Sequence, residues 1–244
     1  MKSILVIISL IFIGQVLGSL IGLIKRPNKK VLYGSLAFAA SIMLGISFFG
    51  LIPESLKITP FYLVIIAFFL GIGIMWIVDK ILPHLNPQLM KKEKPCVKRS
   101  VTMLVIGIAL HNLPEGLAIG AGFALTPGFG IMIALGIAAQ DVPENIATIV
   151  PLYGLTRNRI KSFFITTSTI LFEVIGFILG YYILKGMFLN LLGASLALAA
   201  GFMVYISVEE LIPGAQIKQN PKAGIIGLVL GIICVLLILC LNLI

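Results

Sequence analysis

The sequence predicts an all-α polytopic membrane protein in which eight transmembrane helices form a single domain over residues 1–244. Hydrophobic residues make up 59% of the 244 residues and charged residues only 11%, whereas a soluble domain is roughly half apolar and a quarter charged. The apolar residues fall into eight runs, each near the ~20 residues that a helix needs to cross a bilayer. The short alternating segments of a membrane β-barrel do not occur in the sequence.

Each apolar run is predicted to be a helix, because a helix satisfies its own backbone hydrogen bonds in lipid. The connections between the runs are short. The longest, at about 83–99, contains Pro83, Pro87 and Pro95 and is predicted to be a cytoplasmic loop. The predicted spans, with bounds good to about two to four residues, are 3–24, 31–56, 60–82, 100–124, 129–153, 162–184, 187–213 and 223–243.

The basic residues predict the orientation of these helices. Fifteen of the 18 Lys and Arg residues lie in the first, third, fifth and seventh connections or at the adjacent helix ends. Such connections stay on the cytoplasmic side of a membrane, so both termini are predicted to be extracellular. The same distribution accounts for the net charge of +9 without a nucleic-acid partner, and the expected surroundings are the lipid bilayer of the cell membrane.

Seven of the nine acidic residues lie inside apolar runs, where carboxylates are rare. An ionised group at the bilayer centre costs roughly 2.5–3.5 kcal/mol on insertion scales, and almost no Lys or Arg lies at the same depth to pair with these acids. A bound cation, or protons, would supply the missing positive charge. The seven acids are Glu54, Glu115, Asp141, Glu144, Glu173, Glu209 and Glu210.

Two hexapeptides in the fourth and fifth spans each place three polar side chains on one helix face. HNLPEG at 111–116 and QDVPEN at 140–145 share two polar residues, an apolar residue, Pro and Glu. Residues three and four positions apart share a helix face, so the Glu of each hexapeptide faces the same way as the two polar residues before it. These six candidate metal ligands are His111, Asn112, Glu115, Gln140, Asp141 and Glu144.

The chemistry of these side chains favours a divalent transition-metal ion. Pro114 and Pro143 cannot donate a backbone hydrogen bond, so each frees a carbonyl beside the ligands, and Glu173 adds a carboxylate from the sixth span. One imidazole, several carboxylates and two side-chain amides, with no thiolate, suit zinc first, and also iron(II), manganese or cadmium. The ion would be a substrate that crosses the membrane.

Other functions stay open from the residues alone. The acids could instead form a proton relay in a carrier of another substrate. An intramembrane metalloenzyme fits less well, because a metalloprotease needs a pair of His ligands and the second histidine, His84, lies in the predicted loop. The protein is therefore expected not to be an enzyme. Glu54, Glu209 and Glu210 lie nearer the ends of their spans and are candidates for the transport pathway.

The sequence resembles the ZIP (Zrt/Irt-like) family of divalent metal transporters, and is most similar to its GufA-like bacterial branch. The residues that carry this resemblance are HNLPEG, QDVPEN, Gly50–Glu54 (GLIPE) and Ser207–Pro213 (SVEELIP). The resemblance implies movement of metal toward the cytoplasm by alternating access, in which spans 1, 4, 5 and 6 move against the other four. It also implies a homodimer and an inverted 3+2+3 repeat, consistent with the LIP tripeptide at 51–53 and 211–213.

The resemblance also implies a binuclear metal centre. Glu115 and Glu144 would bridge the two ions. One subsite would consist of His111, Glu115, Gln140 and Glu144, and the other of Asn112, Glu115, Asp141, Glu144 and Glu173.

Overall fold

The computed structural model describes residues 2–24, 28–81 and 97–241, and in these ranges every regular element is helical. Most residues of the predicted loop at 83–99 lie outside these ranges. Within these ranges there are eight long helices, which we number α1 to α8 in chain order. They are α1 (Lys2–Ile24), α2 (Lys29–Ile58), α3 (Phe61–Ile81), α4 (Val97–Leu125), α5 (Pro127–Thr156), α6 (Arg159–Ile183), α7 (Leu189–Gly214) and α8 (Pro221–Leu241).

The predicted all-α fold is confirmed. Within the described ranges, α1 to α3 and α6 to α8 are long and apolar enough to cross a membrane. α4 and α5, which carry the two hexapeptides, have 29 and 30 residues, more than the ~20 that a span needs. The helix ends lie within about three residues of the predicted bounds; residues 97–99, for example, were assigned to the loop and begin α4.

α4 and α6 cross at very short distance because both carry the GxxxG spacing that allows helix backbones to approach. Gly116 and Gly120 of α4 face Gly176 and Gly180 of α6, and a Cβ on any of the four would overlap the backbone of the other helix. These glycines therefore pack the two helices tightly together. This packing places the backbone of Glu173 directly against α4.

The helix contacts repeat in a two-fold pattern. α1 packs on α5 as α6 packs on α4, α2 packs on α8 as α7 packs on α3, and α2 contacts α5 as α7 contacts α4. The first three helices therefore correspond to the last three, and α4 corresponds to α5. Related helices are an odd number of positions apart in the chain, five for the outer helices and one for α4 and α5. Because successive spans alternate in direction, the two copies are inverted, as the 3+2+3 prediction requires.

The repeat is visible in the sequence well beyond the LIP tripeptide. Residues 35–53 read SLAFAASIMLGISFFGLIP and residues 195–213 read SLALAAGFMVYISVEELIP, so eleven of nineteen positions are identical. Ser47 and Ser207 are fully buried in the two copies, and each donates to the carbonyl four residues earlier at 2.8 Å. π-helical turns, which concentrate at functional sites, occupy Ile46–Leu51 and Ser207–Leu211.

The same repeat relates α1 to α6 and places two polar residues at equivalent positions. QVLGSLIG at 15–22 matches EVIGFILG at 173–180. Gly18 and Gly22 abut α5 just as Gly176 and Gly180 abut α4. Gln15 of α1 and Glu173 of α6 therefore hold equivalent positions in the two halves of the molecule.

Candidate metal site

The two hexapeptides lie side by side where α4 packs on α5. One carboxylate oxygen from each of Glu115, Asp141 and Glu144 lies within 4.8 Å of the other two. Glu115 and Asp141 are only 0% and 2% exposed, and Glu144 is partly buried. Three carboxylates this close repel one another unless a cation or protons compensate their charge. The geometry therefore fits a divalent ion held between α4 and α5.

An amide of α5 binds one of these carboxylates. Gln140, which is fully buried, donates from Nε2 to Glu115 Oε1 at 2.5 Å. This bond occupies one polar atom of each partner, so Glu115 Oε2 and Gln140 Oε1 remain buried without a hydrogen-bond partner. Both free oxygens are hard acceptors of the kind that ligate divalent cations.

α6 joins the site through Glu173 and Thr169. Glu173 is fully buried and accepts from Gln15 Nε2 of α1 at 2.5 Å. Asn112 Nδ2 of α4 donates to the Thr169 carbonyl at 3.2 Å and lies 3.3 Å from Thr169 Oγ1. These bonds fix the second polar side chain of HNLPEG against α6.

Several buried oxygens at the site have no hydrogen-bond partner, which is unusual in a folded protein. Leaving a buried acceptor unsatisfied costs about 1–3 kcal/mol, and more when the group is charged. Bound cations would satisfy such oxygens, since each oxygen can act as a ligand. The oxygens are Glu115 Oε2, Gln140 Oε1, Asp141 Oδ2, Glu144 Oε1 and Glu173 Oε1.

His111 lies at the α7 side of the site. Its Nε2 is 3.0 Å from Glu210 Oε2, so one of the three pathway candidates contacts a predicted ligand. The other two are placed differently. Glu54 pairs with Lys57 at 2.6 Å, and Glu209 is exposed and lines a crevice of about 480 Å³ between α3 and α7.

Gln15 and Thr169 also belong to the site, although the sequence motifs did not indicate them. Both are almost completely buried, and Thr169 Oγ1 lies 3.4 Å from Gln15 Oε1. A signal for Gln15 existed, since it is a strongly polar residue in an apolar span and it aligns with Glu173 in the α1–α6 repeat. Thr169 gave no such signal, because serines and threonines are common in membrane helices.

Comparison with known proteins finds relatives over most of the chain. The family model described as ZIP Zinc transporter matches residues 90–239. The zinc transporter ZupT of Chlorobium limicola is 35% identical over 235 residues, covering 88% of each chain. The protein of the same name from Enterobacter sp. strain 638 is 36% identical over 241 residues, covering 93% of this chain and 92% of its own. The chain therefore belongs to the ZIP zinc transporter family, whose members are transporters and not enzymes.

Proposed function

We propose that this protein carries zinc ions across the cell membrane, toward the cytoplasm, through the site between α4, α5 and α6. The observation that carries the proposal is the set of four carboxylates, from Glu115, Asp141, Glu144 and Glu173, that each keep a buried oxygen without a hydrogen-bond partner. Zinc in particular is supported by the relatives, which are named zinc transporters. The oxygen and nitrogen donors would also accept iron(II), manganese or cadmium.

The site would hold two ions that share Glu115 and Glu144. One ion would also contact His111 and Gln140, and the other Asn112, Asp141 and Glu173. Support comes from the 4.8 Å cluster of three carboxylates and from the further buried oxygens of Gln140 and Glu173 that have no hydrogen-bond partner. Each bridging Glu lies three and four residues from its neighbouring ligands, which allows it to face both ions.

Transport would occur by movement of one group of helices, α1, α4, α5 and α6, against a second group, α2, α3, α7 and α8. α1, α4, α5 and α6 pack on one another, and α2 and α8 pack together as α3 and α7 do. Few helix pairs join the groups, chiefly α2 with α5 and α4 with α7, which supports sliding at this boundary. The His111–Glu210 contact crosses it, so Glu210 would meet the ion as the site moves. The working unit would be a homodimer.

Zinc uptake into proteoliposomes tests the proposed function. Purified protein is reconstituted in vesicles that contain a zinc-sensitive dye, with any proton gradient collapsed by an ionophore. We expect saturable zinc entry, because the site supplies ligands for zinc without needing a proton gradient to fill it. Vesicles that admit no zinc but, in the absence of the ionophore, take up protons when another solute is added would favour the proton-coupled carrier instead.

Exposed positions at opposite ends of the helices test the orientation. In a variant without its natural cysteines, Lys185→Cys, between α6 and α7, should react with a membrane-impermeant thiol reagent on intact cells. Lys218→Cys, between α7 and α8, should react only after the membrane is opened, because it belongs to a basic connection. Both lysines are exposed. Reaction in the opposite order would reverse the assigned orientation. A variant that keeps Cys96 as its only cysteine should behave like Lys218→Cys; Cys96 lies outside the described residues.

A further inference from the structure

Gln15 is a buried amide at the edge of the site whose orientation is fixed at both ends. It is 0% exposed in the middle of α1. Its Nε2 donates to Glu173 Oε2 at 2.5 Å, and its Oε1 lies 3.4 Å from the hydroxyl of Thr169. A carboxylate only accepts hydrogen bonds, so the nitrogen of the amide must face Glu173. The pair joins α1 to α6.

The bond occupies one oxygen of Glu173 and leaves the other available. Glu173 Oε1 is buried without a hydrogen-bond partner. Gln140 acts in the same way on Glu115, where it binds Oε1 and leaves Oε2 free. In both pairs the amide limits rotation of the carboxylate, so that the remaining oxygen has a defined position.

The internal repeat explains why an amide meets a carboxylate here. Gln15 and Glu173 are equivalent positions of α1 and α6, in QVLGSLIG and EVIGFILG. Two carboxylates at this contact would repel each other, and two amides would supply no anionic ligand. One of each gives a hydrogen bond and keeps a ligand for the ion. The two copies therefore differ at this position, where one carries an amide and the other a carboxylate, while the glycines beside it are identical.

We propose that Gln15 is a positioning residue that fixes the Glu173 carboxylate and so raises the affinity of the site for its cation. The proposal rests on the proposed function, because it takes Glu173 to be a ligand. Residues that hold metal ligands in place typically contribute about 10–100-fold in metal affinity or activity. Thr169 holds the far end of the amide and supports the same geometry.

Gln15→Met tests the proposal, because Met nearly matches the volume of Gln but cannot donate to Glu173. We expect zinc affinity, measured by competition with a chelator in detergent, to fall by about 10–100-fold. The concentration for half-maximal uptake should rise while the rate at saturating zinc changes much less. Ser19→Ala is the matched control, since Ser19 is also fully buried one turn further along α1 and should leave the affinity unchanged.

A double variant separates a positioning role from a merely structural one. In the Glu173→Gln background, Gln15→Met should cause no further loss of zinc affinity, because the group that Gln15 positions is already gone. Equal losses in both backgrounds, or parental affinity in Gln15→Met alone, would overturn the proposal. If Gln15→Met does not fold, Gln15→Asn keeps a buried amide but shortens it by one methylene, so that it no longer reaches Glu173. Zinc affinity should again fall, and parental affinity would overturn the proposal.

The same measurements distinguish failure of the proposal from failure of the proposed function. A parent protein that transports zinc, together with a Gln15→Met variant indistinguishable from it, would remove only the positioning role. A parent that fails to transport zinc would remove the proposed function, while chelator competition would still report whether Gln15 acts through Glu173.

Discussion

Glu115→Gln is expected to abolish zinc transport. Glu115 is fully buried, belongs to the 4.8 Å carboxylate cluster and would serve both subsites. The substitution keeps the shape of the side chain but removes a negative charge from each subsite. The loss should exceed the roughly 10–100-fold that follows from removing a residue which only supports a ligand. Initial rates of zinc uptake at matched protein density measure it.

Ligands of a single subsite provide the comparison for Glu115→Gln. Asn112→Ala and Glu173→Gln would each leave one subsite intact, so partial activity or altered metal preference is expected from both. Transport at the parental rate by Glu115→Gln, together with an inactive Glu173→Gln, would show that no shared bridge exists and that Glu173 marks the principal site. Thermal stability of each variant in detergent controls for misfolding.

Much of the fold was predictable because bilayer physics leaves few options for an apolar run. Length and hydrophobicity placed the helices, and residues 97–99 were missed only because a helix can extend beyond its apolar part. Which helices pack against each other was harder to predict from the sequence. It depends on which glycines face each other, and a GxxxG spacing such as Gly116–Gly120 does not identify its partner helix.

The polar faces of α4 and α5 were predictable because the residues of each hexapeptide are three and four positions apart. The structure brings Glu115 of one face together with Asp141 and Glu144 of the other. The contacts of Glu173 with Gln15 and of His111 with Glu210 join residues far apart in the chain. No helical periodicity predicts such contacts. Comparison of the two halves of the sequence would have found the first of them, since Gln15 aligns with Glu173.

Gly116→Ala is expected to separate α4 from α6 and to destabilise the protein. The added methyl group would overlap the backbone carbonyl of Glu173, and a backbone cannot rotate away as a flexible side chain can. Overpacking of this kind costs about 1–3 kcal/mol and occasionally more. Zinc transport should fall as well, because the helix that must shift carries Glu173, which we propose as a ligand.

Gly154→Ala is the control for Gly116→Ala, because the same substitution there should leave the stability of the protein unchanged or raise it. Gly154 lies in α5, where an added methyl group would have nothing within 4 Å of it, and replacing a helical Gly by Ala favours the helix by about 0.8–1.0 kcal/mol. Thermal unfolding in detergent should therefore give a lower midpoint for Gly116→Ala and an equal or higher one for Gly154→Ala. Equal midpoints for the two variants would mean that α4 and α6 can separate without cost. The position of Glu173 would then not depend on the glycine crossing, and the close approach of these helices would have no part in building the metal site.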